Sequence, residues 1–211
     1  ALARALVMEP ELLLLDEPLS NLDAKLRVNI RAELRQIQRR LKITTIYVTH
    51  DQAEALAMSD MIAVIDRGRV VQYDTPAEIY YRPVDAFVAG FVGTVNLVKG
   101  EVQSVAPDLV EVATGGESVF VERKRLASGA EREFALGETV SLCIRPETVR
   151  LSRAGDAGGA RACADRRNEF RGRVSNYIFE GGSVRFWIET LGREIVADVF
   201  DPGEQGIFEG D

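Results

Sequence analysis

Leucines 12–15 form an unbroken apolar run between Pro10 and the triplet Asp16-Glu17-Pro18. A run of that length bounded by prolines is too short for a stable helix. It reads as a strand buried on both faces, of the kind found inside a parallel sheet covered by helices. The next segment changes period: Leu22, Leu26, Ile30, Leu34, Ile37 and Leu41 recur every three or four residues, which draws one apolar stripe along a helix. Arg27, Arg31, Glu33, Arg35 and Arg39 lie off that stripe and read as its solvated face, with a partner contact as the other reading. Asn21 or Asp23 suits the cap at its start. TTIYV at 44–48 is β-branched and aromatic, a second strand. Asp51 opens a short helix with acids in its first turn. Stretches 61–66 and 69–73 flank Arg67-Gly68 as a hairpin, and Thr75-Pro76-Ala77-Glu78 forms a capping box. Residues 1–92 therefore read as α/β.

Beyond Phe91–Asn96 the texture changes. Short alternating stretches at 97–102, 109–113, 118–121, 139–144, 170–177, 183–189 and 194–200 are separated by turn residues, which predicts a small all-β barrel or sandwich over 93–211. Residues 152–167 are rich in Gly and Ala and poor in large apolar side chains, and read as a mobile loop. The chain opens on ALARALVM, a helical composition with nothing before it to act as a cap. A piece of a longer protein is the expectation from that opening, and the closing GIFEGD reads as the lead into a missing last strand.

Composition removes several classes of function. There are 33 acidic residues against 26 basic ones, a net charge of −7, whereas a chain that grips nucleic acid through phosphates wants a basic face. No stretch approaches the roughly 20 apolar residues of a membrane helix, and the opening lacks the pattern of a signal peptide. Cys143 and Cys163 are the two cysteines, without CxxC spacing, so neither a disulfide framework nor a zinc site is expected. Cys143 reads as a small core hydrophobe and Cys163 as exposed in the loop. Of Phe186 and Trp187, neighbours on an alternating strand, one should pack in the β core.

The chemistry gathers at strand ends. In an open α/β sheet, ligands bind at the carboxyl ends of the strands, and Asp16 and Glu17 end the first one. Two acids there suit phosphoryl transfer, one holding Mg²⁺ and the other orienting water. A charged strand end before a proline turn is the bland reading of the same residues. The second strand ends in Thr49-His50-Asp51, and His50 is the only histidine; a lone histidine is more often structural than catalytic.

Taken together, ALARAL, LLLLDEP, LSNLD and VTHDQAEA, in this order and spacing, resemble the C-terminal half of an ABC-transporter ATPase. The resemblance implies a partial P-loop NTPase domain with a parallel sheet. It makes Asp16 the Walker B aspartate that holds magnesium, through water, Glu17 the catalytic base and His50 the switch histidine contacting the γ-phosphate. Ser20, Asn21, Leu22 and Asp23 match the D-loop, which in the family faces the second ATPase subunit of a homodimer. The stretch 60–93 resembles the end of the nucleotide-binding domain in importer ATPases of the maltose, polyamine, iron and sulfate type. The β-rich remainder, with LCIRPETVRL, resembles their OB-like regulatory TOBE domain. ATP, Mg²⁺, transmembrane permease subunits, an indirectly acting extracytoplasmic solute-binding protein and a peripheral place on the cytoplasmic face of the membrane are implied with it. FVGTVNLVKGEV lacks the SPxMN pattern of the sugar importers and looks closer to polyamine or ferric-iron importers.

The departures are as informative. GxxGxGK[ST] occurs nowhere in these residues, and that loop supplies most of the phosphate binding; the Q-loop and LSGGQ are absent too. These 211 residues alone are therefore expected to be inactive toward ATP. Two rivals stand beside this reading: a small-anion sensor using Arg123-Lys124-Arg125 and Arg145, more simply a solvated basic turn, and a soluble ABC ATPase without a transporter.

Overall fold

The computed structural model describes residues 7–8, 10–123, 133–152 and 168–200. The chain divides into two compact units, Ala1–Tyr81 and Arg82–Asp211.

In the first unit, strands β1 (Leu12–Asp16) and β2 (Thr44–Val48) pair in parallel, with Asp16 opposite Val48. Between them runs helix α1 (Ala24–Leu41), whose N-cap is Asp23, its side chain accepting from the Leu26 amide. Leu13 and Leu15 are buried and share one small apolar gap with Leu34 and Ile37 of α1. Leu19, Leu34 and Met58 form the core nearby, with Leu22, Ile30 and Tyr47 packed against it. Two expectations change here. The leucine run is covered on one face only, because Leu12 and Leu14 point away from α1 and are exposed. The stripe on α1 is also narrower than its spacing suggests, since Leu26 and Leu41 are exposed. Helix α2 (Gln52–Met58) is capped by Asp51. The hairpin of β3 (Ile62–Asp66) and β4 (Arg69–Asp74) turns at Arg67 and Gly68, both at positive φ. Helix α3 (Pro76–Tyr81) starts at the capping box, with the Glu78 amide donating to Thr75.

The second unit begins with helix α4 (Ala86–Phe91), capped by Asp85. All seven expected strand regions follow: β5 (Asn96–Val105), β6 (Leu109–Thr114), β7 (Glu117–Glu122), β8 (Thr139–Ile144), β9 (Arg173–Phe179), β10 (Ser183–Thr190) and β11 (Arg193–Phe200). They make two antiparallel sheets, ordered β7-β6-β5-β8 and β11-β10-β9. One core gathers Val98, Val102, Val110, Val112, Val119 and Leu142 with Leu191 of the β10–β11 turn and Ile195 of β11; a second holds Val174, Val184, Phe186, Ile188, Ala197 and Val199. Phe186 thus fills the core, and Trp187 is half-buried.

Asn96 laces the sheets. Its side-chain Oδ1 accepts from the Val196 amide at 2.8 Å, while Nδ2 donates to the Val196 carbonyl at 2.8 Å and to the Ile144 carbonyl at 3.2 Å. Arg193 adds a bond from Nη1 to the Leu97 carbonyl at 2.7 Å. Apart from Ser152, the loop expected at 152–167 lies outside the described residues, as do Cys163, the closing GIFEGD and all of ALARAL.

Candidate functional site

Parallel pairing brings the carboxyl ends of β1 and β2 to one edge, and the backbone then ties the next residue down. The Glu17 amide donates to the Val48 carbonyl at 2.9 Å. Glu17 itself sits at φ 47°, the left-handed region, which costs a non-glycine residue roughly 1 kcal/mol or more. Local bonds hold it there, for the Ser20 hydroxyl and amide both donate to the Glu17 carbonyl, at 2.9 and 3.3 Å. This turn places the Glu17 carboxylate 2.5 Å from His50 Nδ1 (Oε1 to ring nitrogen). His50 is largely exposed and Glu17 about one-third so. The Glu17 hydrogen bond, followed by its charge, holds the imidazole above its ordinary pKa. Asp16 lies exposed at the end of β1.

The structure thus joins Glu17 to His50 across the two strand ends and joins Ser20 to Glu17. Asn21 is an exposed turn residue, Leu22 packs on the core and Asp23 is spent on capping α1. Among the described residues there is no group of three or more His, Cys, Asp or Glu that could hold a metal ion. A magnesium ion needs only one or two carboxylates when substrate phosphates and water complete its shell. An exposed carboxylate at the strand edge, as at Asp16, fits that role.

Behind His50 lies a charge cluster that the sequence reading missed. Glu54 of α2 is almost fully buried, and its Oε2 accepts from the Tyr47 hydroxyl and the Thr49 hydroxyl, both at 2.9 Å. The Thr49 hydroxyl also accepts from the Asp51 amide at 3.0 Å. Arg31 Nη2 donates to Asp51 Oδ2 at 3.0 Å and lies 3.9 Å from Glu54. Arg27 Nη1 reaches the same Asp51 oxygen at 3.3 Å, and its Nε lies 3.8 Å from Glu54. Burial, then the bond to and charge of Glu54, drive the Tyr47 phenol well above its usual pKa. Arg27 and Arg31 are therefore half-buried ion-pair partners and not a solvated face; Arg35 likewise pairs with Asp60. The signal present in the sequence was the pairing of Asp51 and Glu54 with arginines four apart on the preceding helix.

Residues 142–210 match the family described as TOBE domain. Over 192 residues the chain is 43% identical to the spermidine/putrescine import ATP-binding protein PotA of Thermobifida fusca, covering 90% of this chain and 46% of that protein. It is 40% identical over 190 residues to the Fe(3+) ions import ATP-binding protein FbpC of Rhizobium etli, covering 90% and 48%. With the sn-glycerol-3-phosphate import ATP-binding protein UgpC 1 of Rhizobium johnstonii, identity is 45% over 168 residues, covering 78% and 43%. The chain is a relative of import ATP-binding proteins. It spans about half the length of the curated relatives it matches.

In this relative of import ATP-binding proteins, Arg145, one of the four basic residues offered as an anion seat, is differently employed. It is buried, and its Nη1 donates to the carbonyls of Ala89, Gly93 and Thr94 at 3.0, 3.3 and 3.2 Å. It closes the end of α4 in place of holding an oxyanion, because orphan carbonyls at a helix end attract a cation. Lys124 and Arg125 lie outside the described residues. Cys143 points outward from β8, opposite to the core expectation, since the alternation gives the inward place to Leu142; its surroundings still desolvate the thiol and raise its pKa. Among the described residues no helix is long and apolar enough to cross a membrane.

Proposed function

We propose that this chain carries the hydrolytic strand ends and the regulatory β domain of an ATP-binding subunit that powers solute import. Residues 1–92 are assigned to the C-terminal part of the nucleotide-binding domain and 93–211 to the TOBE-like domain. The observation that carries the proposal is the Glu17–His50 contact at the shared edge of two parallel strands. Asp16 holds Mg²⁺ through water, and the ion, when bound, neutralises charge on the phosphate oxygens. Glu17 accepts a hydrogen bond from the attacking water and aligns it with the γ-phosphate. His50, held beside Glu17, donates toward the γ-phosphate oxygens, where negative charge is to be offset. Ser20, Asn21, Leu22 and Asp23 face a second ATPase subunit, and the closed pair drives permease subunits at the cytoplasmic face of the membrane. A polyamine delivered by an extracytoplasmic solute-binding protein is the first choice of solute, with ferric iron the second.

Phosphate grip must come from a glycine-rich loop that these 211 residues do not contain, so the chain by itself should not turn over ATP. In protein that also carries that loop, Glu17→Gln should lower turnover by about 10²-fold or more while ATP binding persists. Turnover near the wild-type rate would remove Glu17 from its role. Uptake of labelled spermidine against labelled ferric iron, in cells lacking the gene, decides the solute.

A further inference from the structure

The guanidinium of Arg27 addresses three residues with three nitrogens. Nη2 donates to the Leu22 carbonyl at 3.0 Å, Nη1 to Asp51 Oδ2 at 3.3 Å, and Nε lies 3.8 Å from Glu54 Oε1. Leu22 belongs to the 20–23 loop, where its own amide is tied to the Leu19 carbonyl. Asp51 follows His50 directly and caps α2. Two routes therefore leave the loop and meet at the histidine. One runs through the Ser20 hydroxyl, the Glu17 carbonyl and the Glu17 carboxylate; the other runs through the Leu22 carbonyl, Arg27 and Asp51.

Arg31, one turn further along α1, serves as an internal comparison. It pairs with the same Asp51 oxygen and approaches the same Glu54 oxygen, and neither contact reaches the loop. Two arginines balance the two carboxylates Asp51 and Glu54, but charge balance requires no contact with the loop. The additional reach of Arg27 to a backbone carbonyl is what its planar fork permits, and a lysine cannot span both ends.

We propose that Arg27 is a positioning residue, a strut that fixes the 20–23 loop to the turn bearing His50, so that displacement of the loop is felt at the histidine. This rests on the reading above, in which that loop faces the second subunit and His50 serves the γ-phosphate. In that setting the strut makes arrival of the partner subunit and placement of His50 parts of one event.

The test needs neither nucleotide nor turnover. His50 is the only histidine, so its ring signals in an NMR pH titration of the 211-residue chain are unambiguous. The charged groups facing it are Glu17, Asp51 and Glu54, all acidic. Removing a nearby cation by its field alone moves the midpoint upward, whereas loosening the turn breaks the Glu17 contact and moves it down toward about 6.5. Arg27→Lys keeps the charge and loses the fork; it should lower the midpoint by about 0.5 pH unit and speed hydrogen exchange at the Leu22 amide. Arg31→Met should raise the midpoint and leave the Leu22 amide unchanged. An Arg27→Lys chain that titrates and exchanges like the wild type overturns the strut, as does Arg27→Met moving upward in step with Arg31→Met. Either result leaves the hydrolytic reading of Glu17 standing, because that reading fails only in the turnover assay.

Discussion

Replacing Arg145 by methionine keeps a stem of similar length and removes the donor from three carbonyls. The Ala89 carbonyl is the buried one, while those of Gly93 and Thr94 are partly reached by solvent. A hydrogen bond from a charged donor contributes about 1.5–3 kcal/mol, and a carbonyl left buried without a partner forfeits that amount. The two part-buried carbonyls recover water and add about 0.5 kcal/mol each, so the expected loss is about 3 kcal/mol. With a urea slope of about 2 kcal/mol/M, the midpoint should fall by about 1.5 M. Trp187 is the only tryptophan and stands in β10, so its fluorescence follows the β-rich unit without interference from the first. Arg145→Lys should recover only part of the loss, because a single ammonium cannot serve three carbonyls spread around it. Phosphate should displace the midpoints of wild type and Arg145→Met equally; an anion seated on Arg145 would instead stabilise only the wild type. A midpoint shift below about 0.3 M in Arg145→Met, on that same slope, would refute the argument that this cation is a structural clamp.

The His50 ring should titrate above about 6.5, and Glu17→Gln should bring it back toward that value, read by NMR. Since the folded pKa is the raised one, the pair's stabilisation is fully present below about pH 6.5 and is lost as pH rises through the folded midpoint. Gly115→Ala should cost about 2 kcal/mol or more, because an added Cβ would stand 2.1 Å from the Leu191 carbonyl carbon at a φ of +58°. Gly116→Ala, at φ +84° with open space around it, should cost about half as much; equal thermal midpoints for the two would exclude the clash. Tyr47→Phe removes one donor from Glu54 and should cost about 1 kcal/mol in urea. It should also leave the ultraviolet phenol titration in the usual tyrosine range unaltered, because burial and Glu54 hold the Tyr47 phenol above that range.

Much of the fold was legible because its signals are local. A proline-bounded leucine run, a period change at Leu22, a β-branched run at 44–48 and glycine-punctuated strands each announce an element over a few residues. The meeting of the two strand ends was legible for the same reason, since parallel pairing puts Asp16-Glu17 and Thr49-His50 at one edge. Long-range contacts erased some of those local meanings. Arg27 and Arg31 look like solvated charges on a helical wheel, yet their partner Asp51 lies 24 and 20 residues away. Arg145 looks like a spare cation because its partners are backbone carbonyls, which leave no trace in a sequence. Leu12 and Leu14 show the converse: a continuous apolar run does not reveal whether one face or two are covered. The seam between the compact units, at Tyr81 and Arg82, precedes the change of texture near Phe91–Asn96. α4 belongs with the β strands through the Arg145 bonds.

Asn96 has a consequence for how the β-rich unit comes apart. Its amide presents one donor-acceptor face to Val196, as a residue of a neighbouring strand would, so one side chain stands in for a missing rung between β5 and β11. The edge strand β11 cannot then leave without unpairing the Val196 peptide groups from the Asn96 side chain. The unit should accordingly melt as a single cooperative block, with the amide of Val196, 100 residues distant from Asn96, among the last protons to exchange.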